Sequence, residues 1–146
     1  RSLVPGSVSE THIRKWRTKL IPLAGFHSAV VYLVDADSKS LKPRATLGEL
    51  VLLSPTQVPI VPEKIKKEDG LVPLLWVLRE ESLMYKTRYV GTDSYITYFT
   101  GPIGADPALG VLYIEAHSEA SPENVPALRT HFEALQLALN HALDLY

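Results

Sequence analysis

A chain of 146 residues, 46% hydrophobic and 21% charged, has the balance of a soluble globular domain large enough to bury a core without metal or disulfide staples. Its 15 lysines and arginines against 16 aspartates and glutamates give a formal net charge of -1, without the excess of cations that a dedicated nucleic-acid binder needs; no apolar run nears the roughly 20 residues that cross a bilayer. The absence of cysteine excludes thiolate nucleophiles, CxxC redox chemistry, cysteine-ligated zinc or iron–sulfur, and thioether-linked chromophores.

Residues 1–7, with Leu3-Val4-Pro5-Gly6-Ser7, read as a damaged protease-site linker left by an expression vector, and residues 8–146 as a single domain. With no start methionine and no signal-peptide core, the expectation is a fragment of a longer cytoplasmic protein. Over residues 8–20, Ile13, Trp16 and Leu20 share one side while Arg14, Lys15, Arg17 and Lys19 point elsewhere, which predicts an amphipathic helix with a solvated basic face. Pro22 and Gly25 end it. The run 26–34 is apolar without alternation and predicts a central strand covered on both faces, closed by an Asp-rich turn at residues 35–38. A partner strand is expected over 41–47, with Pro43 pointing to an edge position or a late start.

Residues 48–67 carry Pro55, Pro59 and Pro62 and read as a crossing segment with one short strand near 57–61; Lys64, Lys66 and Lys67 form a solvated positive cluster. Asp69 can cap a helix in which Leu71, Leu74, Leu75 and Leu78 share a face. Two β-prone runs follow, 82–89 and 95–103, and the second forms a hairpin with residues 110–115 around a Gly/Asp/Pro turn. Ser121-Pro122-Glu123 is an N-cap, an N1 proline and a dipole-matching acid. Beyond it Val125, Leu128, Phe132, Leu135, Leu139, Ala142 and Tyr146 recur at spacings of three and four, a heptad seam. A second apolar set, Ala127, Ala134, Leu137, Ala138 and Leu145, points elsewhere around the helix. The seam predicts a homodimer through Val125, Leu128, Phe132, Leu135, Leu139 and Ala142.

No GxGxxG, P-loop, GxSxG or HExxH is present, and Gly101-Pro102-Ile103-Gly104 reads as a turn because Pro102 lacks the amide a phosphate cradle would use. His12, His27, His117, His131 and His141 are scattered, none at i,i+3 or i,i+4 from another, so no metal site is expected. The most suggestive polar and aromatic set lies in the fourth and fifth strands: Tyr85, Lys86, Arg88, Tyr89, Asp93, Tyr95 and Tyr98. Arginine can fork onto carboxylate or phosphate and tyrosine supplies a flat apolar wall with a polar tip. Tyr85, Arg88, Tyr89, Asp93 and Tyr95, with Trp76 as a pocket wall, are therefore the candidate ligand-binding residues. No catalytic residue, no metal and no resident cofactor is indicated.

The order of elements predicts an α+β fold, a central, mainly antiparallel sheet with N- and C-terminal helices packed on one face. With its first core strand ending in an Asp-rich turn, Gly110-Val111-Leu112-Tyr113-Ile114, and the closing helix after Ser121-Pro122-Glu123, the chain resembles the GAF domain family over most of residues 25–146, a PAS-like domain being the competitor. The resemblance implies a regulatory or sensory domain that dimerises through its terminal helices and modulates an output domain in the same polypeptide. The alternative it offers is a small-molecule sensor, binding a cyclic dinucleotide, a nucleotide or haem (through His27 or His117) on the sheet face opposite the helices. The cysteines of the family's bilin-binding and methionine-sulfoxide-reducing branches, and the Asn-Lys-Phe-Asp-Glu signature of its cyclic-nucleotide branch, are missing. An enzyme, a nucleic-acid partner and membrane insertion are not expected.

Overall fold

The unbroken apolar run of the first strand sets the architecture, because a strand with no polar face must be covered on both sides. The computed structural model describes residues 26–60, 72–91, 94–118 and 125–143. These form β1 (Ser28–Asp35), β2 (Ser40–Leu47), β3 (Val58–Pro59), α1 (Val72–Glu80), β4 (Met84–Gly91), β5 (Ser94–Ile103), β6 (Gly110–Ser118) and α2 (Val125–Ala142). The six strands make one sheet in the order β3-β2-β1-β6-β5-β4, with every pairing antiparallel. β1 lies inside it, and Val30, Val31 and Tyr32 are at most 1% exposed. The predicted N-terminal helix, the lysine cluster, Asp69 and Ser121-Pro122-Glu123 lie outside the described residues.

Pro43 has a local explanation. The β1–β2 register slips where Val31 faces Ala45 and Tyr32 faces Pro43, leaving Arg44 as the extra residue of a bulge, and β3 pairs only with Ser40 and Leu41. At that position a missing N–H forfeits no ladder bond on the outer side. The turn between β1 and β2 is held by Asp35, which accepts from Ser38 Oγ at 2.6 Å and pairs with Lys42 Nζ at 2.9 Å. Those two partners, Lys42 foremost, hold its carboxyl down at about 2.

The strand pleat sends alternate side chains to opposite faces, so one sheet carries two cores. On one face Leu128, Phe132, Leu135, Leu139 and Leu143 of the C-terminal region pack against Val31, Leu33, Phe99, Ile103, Leu112 and Ile114. Each such side chain contributes about 1.5–3 kcal/mol by burial. Close approach of α2 depends on Gly101, where a Cβ would lie 2.8 Å from both the Phe132 ring and Gln136 Nε2. Gln136 then donates to the Pro102 carbonyl at 2.6 Å, and Asn140 Oδ1 accepts from Gly104 N at 3.1 Å.

This packing corrects the expected use of the heptad seam. Leu128, Phe132, Leu135 and Leu139 are buried against the chain's own sheet, Val125 packs on the same cluster, and Ala142 is half-buried. A stripe already covered by the sheet has no surface left for a second copy. The outward apolar positions of α2 are Ala127, Ala134 and Leu137, the last 56% exposed. On the opposite face Val30, Tyr32, Leu41, Tyr98, Val111 and Tyr113 lie under Leu74, Leu75 and Val77 of α1 and under Leu53 and Val58 of the crossing segment. Val77 is fully buried and Leu78 only half-buried, so the inward stripe of α1 is rotated from the expected one.

Candidate functional site

Period two on β6 puts Tyr113, Glu115 and His117 on the face opposite α2, continuing the line of Val111. Glu115 is a fully buried acid, and its partners explain how it is tolerated there. Its Oε1 accepts from Val51 N at 2.9 Å and its Oε2 from Leu52 N at 2.9 Å, so both amides belong to the crossing segment. The Tyr113 hydroxyl donates to Oε2 at 2.7 Å, and His117 Nε2 lies 3.2 Å from Oε1. Burial first, and then the hydrogen bond and charge of Glu115, push the Tyr113 phenol well above its ordinary range; burial alone pushes Tyr32 up to about 12. Both phenols therefore remain protonated at neutral pH, and Tyr113 stays a donor.

The crossing segment reaches this carboxylate by hugging β1. Gly48 begins it at φ +67°, where a Cβ would stand 2.5 Å from the His27 carbonyl oxygen, so only glycine fits. Antiparallel pairing of β1 with β6 brings together two histidines 90 residues apart in sequence. His27 N donates to the Glu115 carbonyl at 3.1 Å, and His117 N donates to His27 Nδ1 at 3.1 Å. The two imidazoles stack with centroids 5.1 Å apart and planes 14° from parallel. His27 Nδ1 therefore serves as an acceptor, and His117 Nε2 stands within hydrogen-bond reach of Glu115 Oε1.

Beside this arrangement an open cleft of about 480 Å³ is lined in equal number by polar residues, His27, Ser94, His117 and Ser118, and by Val51, Val90, Tyr95 and Ile96. Its polar groups can orient a small molecule against the apolar ones. Among the described residues no group of three or more His, Asp or Glu could hold a metal ion, and no helix is long and apolar enough to cross a membrane.

The candidates singled out from the sequence do not converge. Tyr85 stacks on Phe99 at 5.5 Å and lies under the Arg129 guanidinium at 5.6 Å, on the α2 face. Tyr89 shares that face and touches Tyr95, with centroids 5.3 Å apart. Arg88, one residue out of phase and opposite Ile96, points to the other side of the sheet. Trp76 is half-buried on α1 against the second core. Asp93 lies outside the described residues. Of the described members of the set, only Tyr95 lines the cleft. Glu115 was passed over, although a lone acid inside the apolar run of residues 111–116 was a signal that something must pair with it. The His27–His117 contact needed the strand order.

The sequence matches no family model and no curated protein. The fold is GAF-like. The GAF-B domain of DevS from Mycobacterium smegmatis superposes with a TM-score of 0.61 at 16% identity, over 92% of this chain and 91% of that one. The GAF domain of the phosphoenolpyruvate-protein phosphotransferase from Acinetobacter gives 0.59 at 12% identity, over 94% and 84%. Free methionine-R-sulfoxide reductase from Neisseria meningitidis, solved in complex with its substrate, gives 0.56 at 16% identity, over 88% and 78%. At such identities the likeness is one of fold alone.

Proposed function

We propose that the chain is a sensory, non-enzymatic regulatory domain that binds a small molecule in the cleft beside the His27–His117 stack. The observation that carries this reading is Glu115, a buried carboxylate that ties the backbone of Val51 and Leu52 to the sheet and touches His117 at the cleft wall. A ligand that competes for His117, or adds to its contacts, acts through that carboxylate on the cover over the sheet. Its leverage is limited to its difference in affinity for the two arrangements. The C-terminal helix α2 passes the change to an attached output domain, and pairing with a second copy uses its outward positions Ala127, Ala134 and Leu137. The absence of cysteine supports a regulatory role over thiol-dependent reduction, and the fold is shared with the GAF domains of DevS and of the phosphotransferase.

The test is a melting-temperature screen with nucleotides and cyclic dinucleotides, followed by calorimetry, alongside absorbance in the Soret region after adding haem. A true ligand at 100 times its Kd stabilises the domain by about 2.7 kcal/mol. That gain should be lost in His117→Ala. A ligand whose gain survives this substitution binds elsewhere, and a screen in which none binds removes these classes as ligands.

A further inference from the structure

The sheet ends, among the described residues, at β4, which pairs with β5 along one side only. Its other side is a row of backbone N–H and C=O groups that no described strand pairs, and edges of this kind are what peptide-binding sheets use. Two features separate it from an inert edge. Tyr85, Tyr89 and Val90 are 43%, 61% and 39% exposed, so most of the large exposed hydrophobic side chains of the described structure sit on this one strand. Lys86 and Arg88, also exposed, alternate with the tyrosines on the opposite face and form no ion pair among the described residues. One side of the edge therefore carries two tyrosines, with the Arg129 guanidinium over Tyr85, and the other carries Val90 and two cations with no ion pair among the described residues.

We infer that the β4 edge docks an extended acidic segment of a partner protein by strand addition, with the partner's acidic side chains beside Lys86 and Arg88 and its apolar ones against Tyr85 and Tyr89. A second copy of the chain fits worse: antiparallel pairing of two β4 edges centred on Thr87 sets Lys86 opposite Arg88 twice, and like charges directly opposed are destabilising. Carboxylates at alternate positions turn the same geometry into favourable cross-strand pairs.

The probe is a fluorescein-labelled, N-acetylated peptide alternating glutamate and valine over seven residues, followed by anisotropy and by amide shifts of the ¹⁵N-labelled domain. The peptide should bind with shifts centred on residues 84–91. The same peptide N-methylated at alternate residues, which cannot complete a ladder, should bind about tenfold or more weakly. Lys86→Glu combined with Arg88→Glu lies on the surface, and its fold is checked by circular dichroism. It should lose the acidic peptide and prefer one alternating lysine and valine. If that variant does not fold, raising the salt to 0.5 M with the unaltered protein must weaken the acidic peptide. Absence of binding, equal binding by the N-methylated peptide, or shifts away from β4 would each overturn the inference; equal binding by the methylated peptide identifies attraction to charge alone.

Discussion

Replacing Glu115 by glutamine keeps the size of the side chain and removes its charge and one of its two acceptor oxygens. Val51 N and Leu52 N donate to different oxygens, each at 2.9 Å, so a carboxamide leaves one of these amides facing an NH₂ donor. The Tyr113 hydroxyl and Leu52 N share Oε2, so a carboxamide that keeps its oxygen there satisfies both and leaves Val51 N as the orphan. An unsatisfied donor of this kind costs roughly 1–3 kcal/mol. At this chain length each kcal/mol lowers Tm by about 2–4 °C, which predicts a fall of about 2–12 °C in calorimetry. Hydrogen exchange at Val51 and Leu52 should accelerate more than at the β1–β6 ladder, because the segment loses its anchor while the sheet keeps its own bonds. A fall below about 2 °C, the size of an ordinary surface substitution, would refute the reasoning, as would unchanged protection at those two amides.

Asp35→Asn tests the turn electrostatics. A carboxyl held at about 2, below the ordinary 3.8, contributes stability that is fully present above pH 4 and is lost as pH falls through 2. The variant should therefore melt lower than the parent at pH 7, with the gap closing towards pH 2; a gap that grows on acidification contradicts the assignment. Gly101→Val drives a side chain into the Phe132 ring and Gln136, and overpacking of this kind costs roughly 1–3 kcal/mol in urea unfolding; an unchanged midpoint would mean that α2 does not lie as described. Leu137→Asp, at an outward position, should leave stability within about 0.5 kcal/mol while converting dimer to monomer in light scattering; a parent chain that is monomeric at micromolar concentration contradicts pairing through this face.

The parts of the fold legible in the sequence are those whose periodicity has one physical meaning. Residues 26–34, short and rich in β-branched and aromatic side chains without alternation, read as a strand with both faces covered, and the three-and-four spacing from Val125 onward reads as a helix with a continuous apolar stripe. Periodicity does not say what covers such a stripe. Phe132 and Leu139 fit a dimer seam or a sheet equally well until Gly101, a gap in β5 shaped for the helix, is placed beneath them. That the aromatic and arginine set spans both faces of the sheet was legible: Tyr85 and Tyr89 are in phase and Arg88 is not, and pairing of Tyr89 with Tyr95 carries that phase across the hairpin. The cleft was not legible, because His27 and His117 meet only through the order β1-β6, a property of the whole sheet.

The central claim is that the cleft beside the histidine stack is a ligand site coupled through Glu115 to the crossing segment. It is tested most directly by screening a fragment library against the ¹⁵N-labelled domain with every amide assigned. Fragments should shift His27, Ile96 and His117 together, and the same fragments should move the amides of Val51 and Leu52 in the parent but not in Glu115→Gln. Fragments that gather elsewhere, or that occupy the cleft while Val51 and Leu52 stay still, would contradict it.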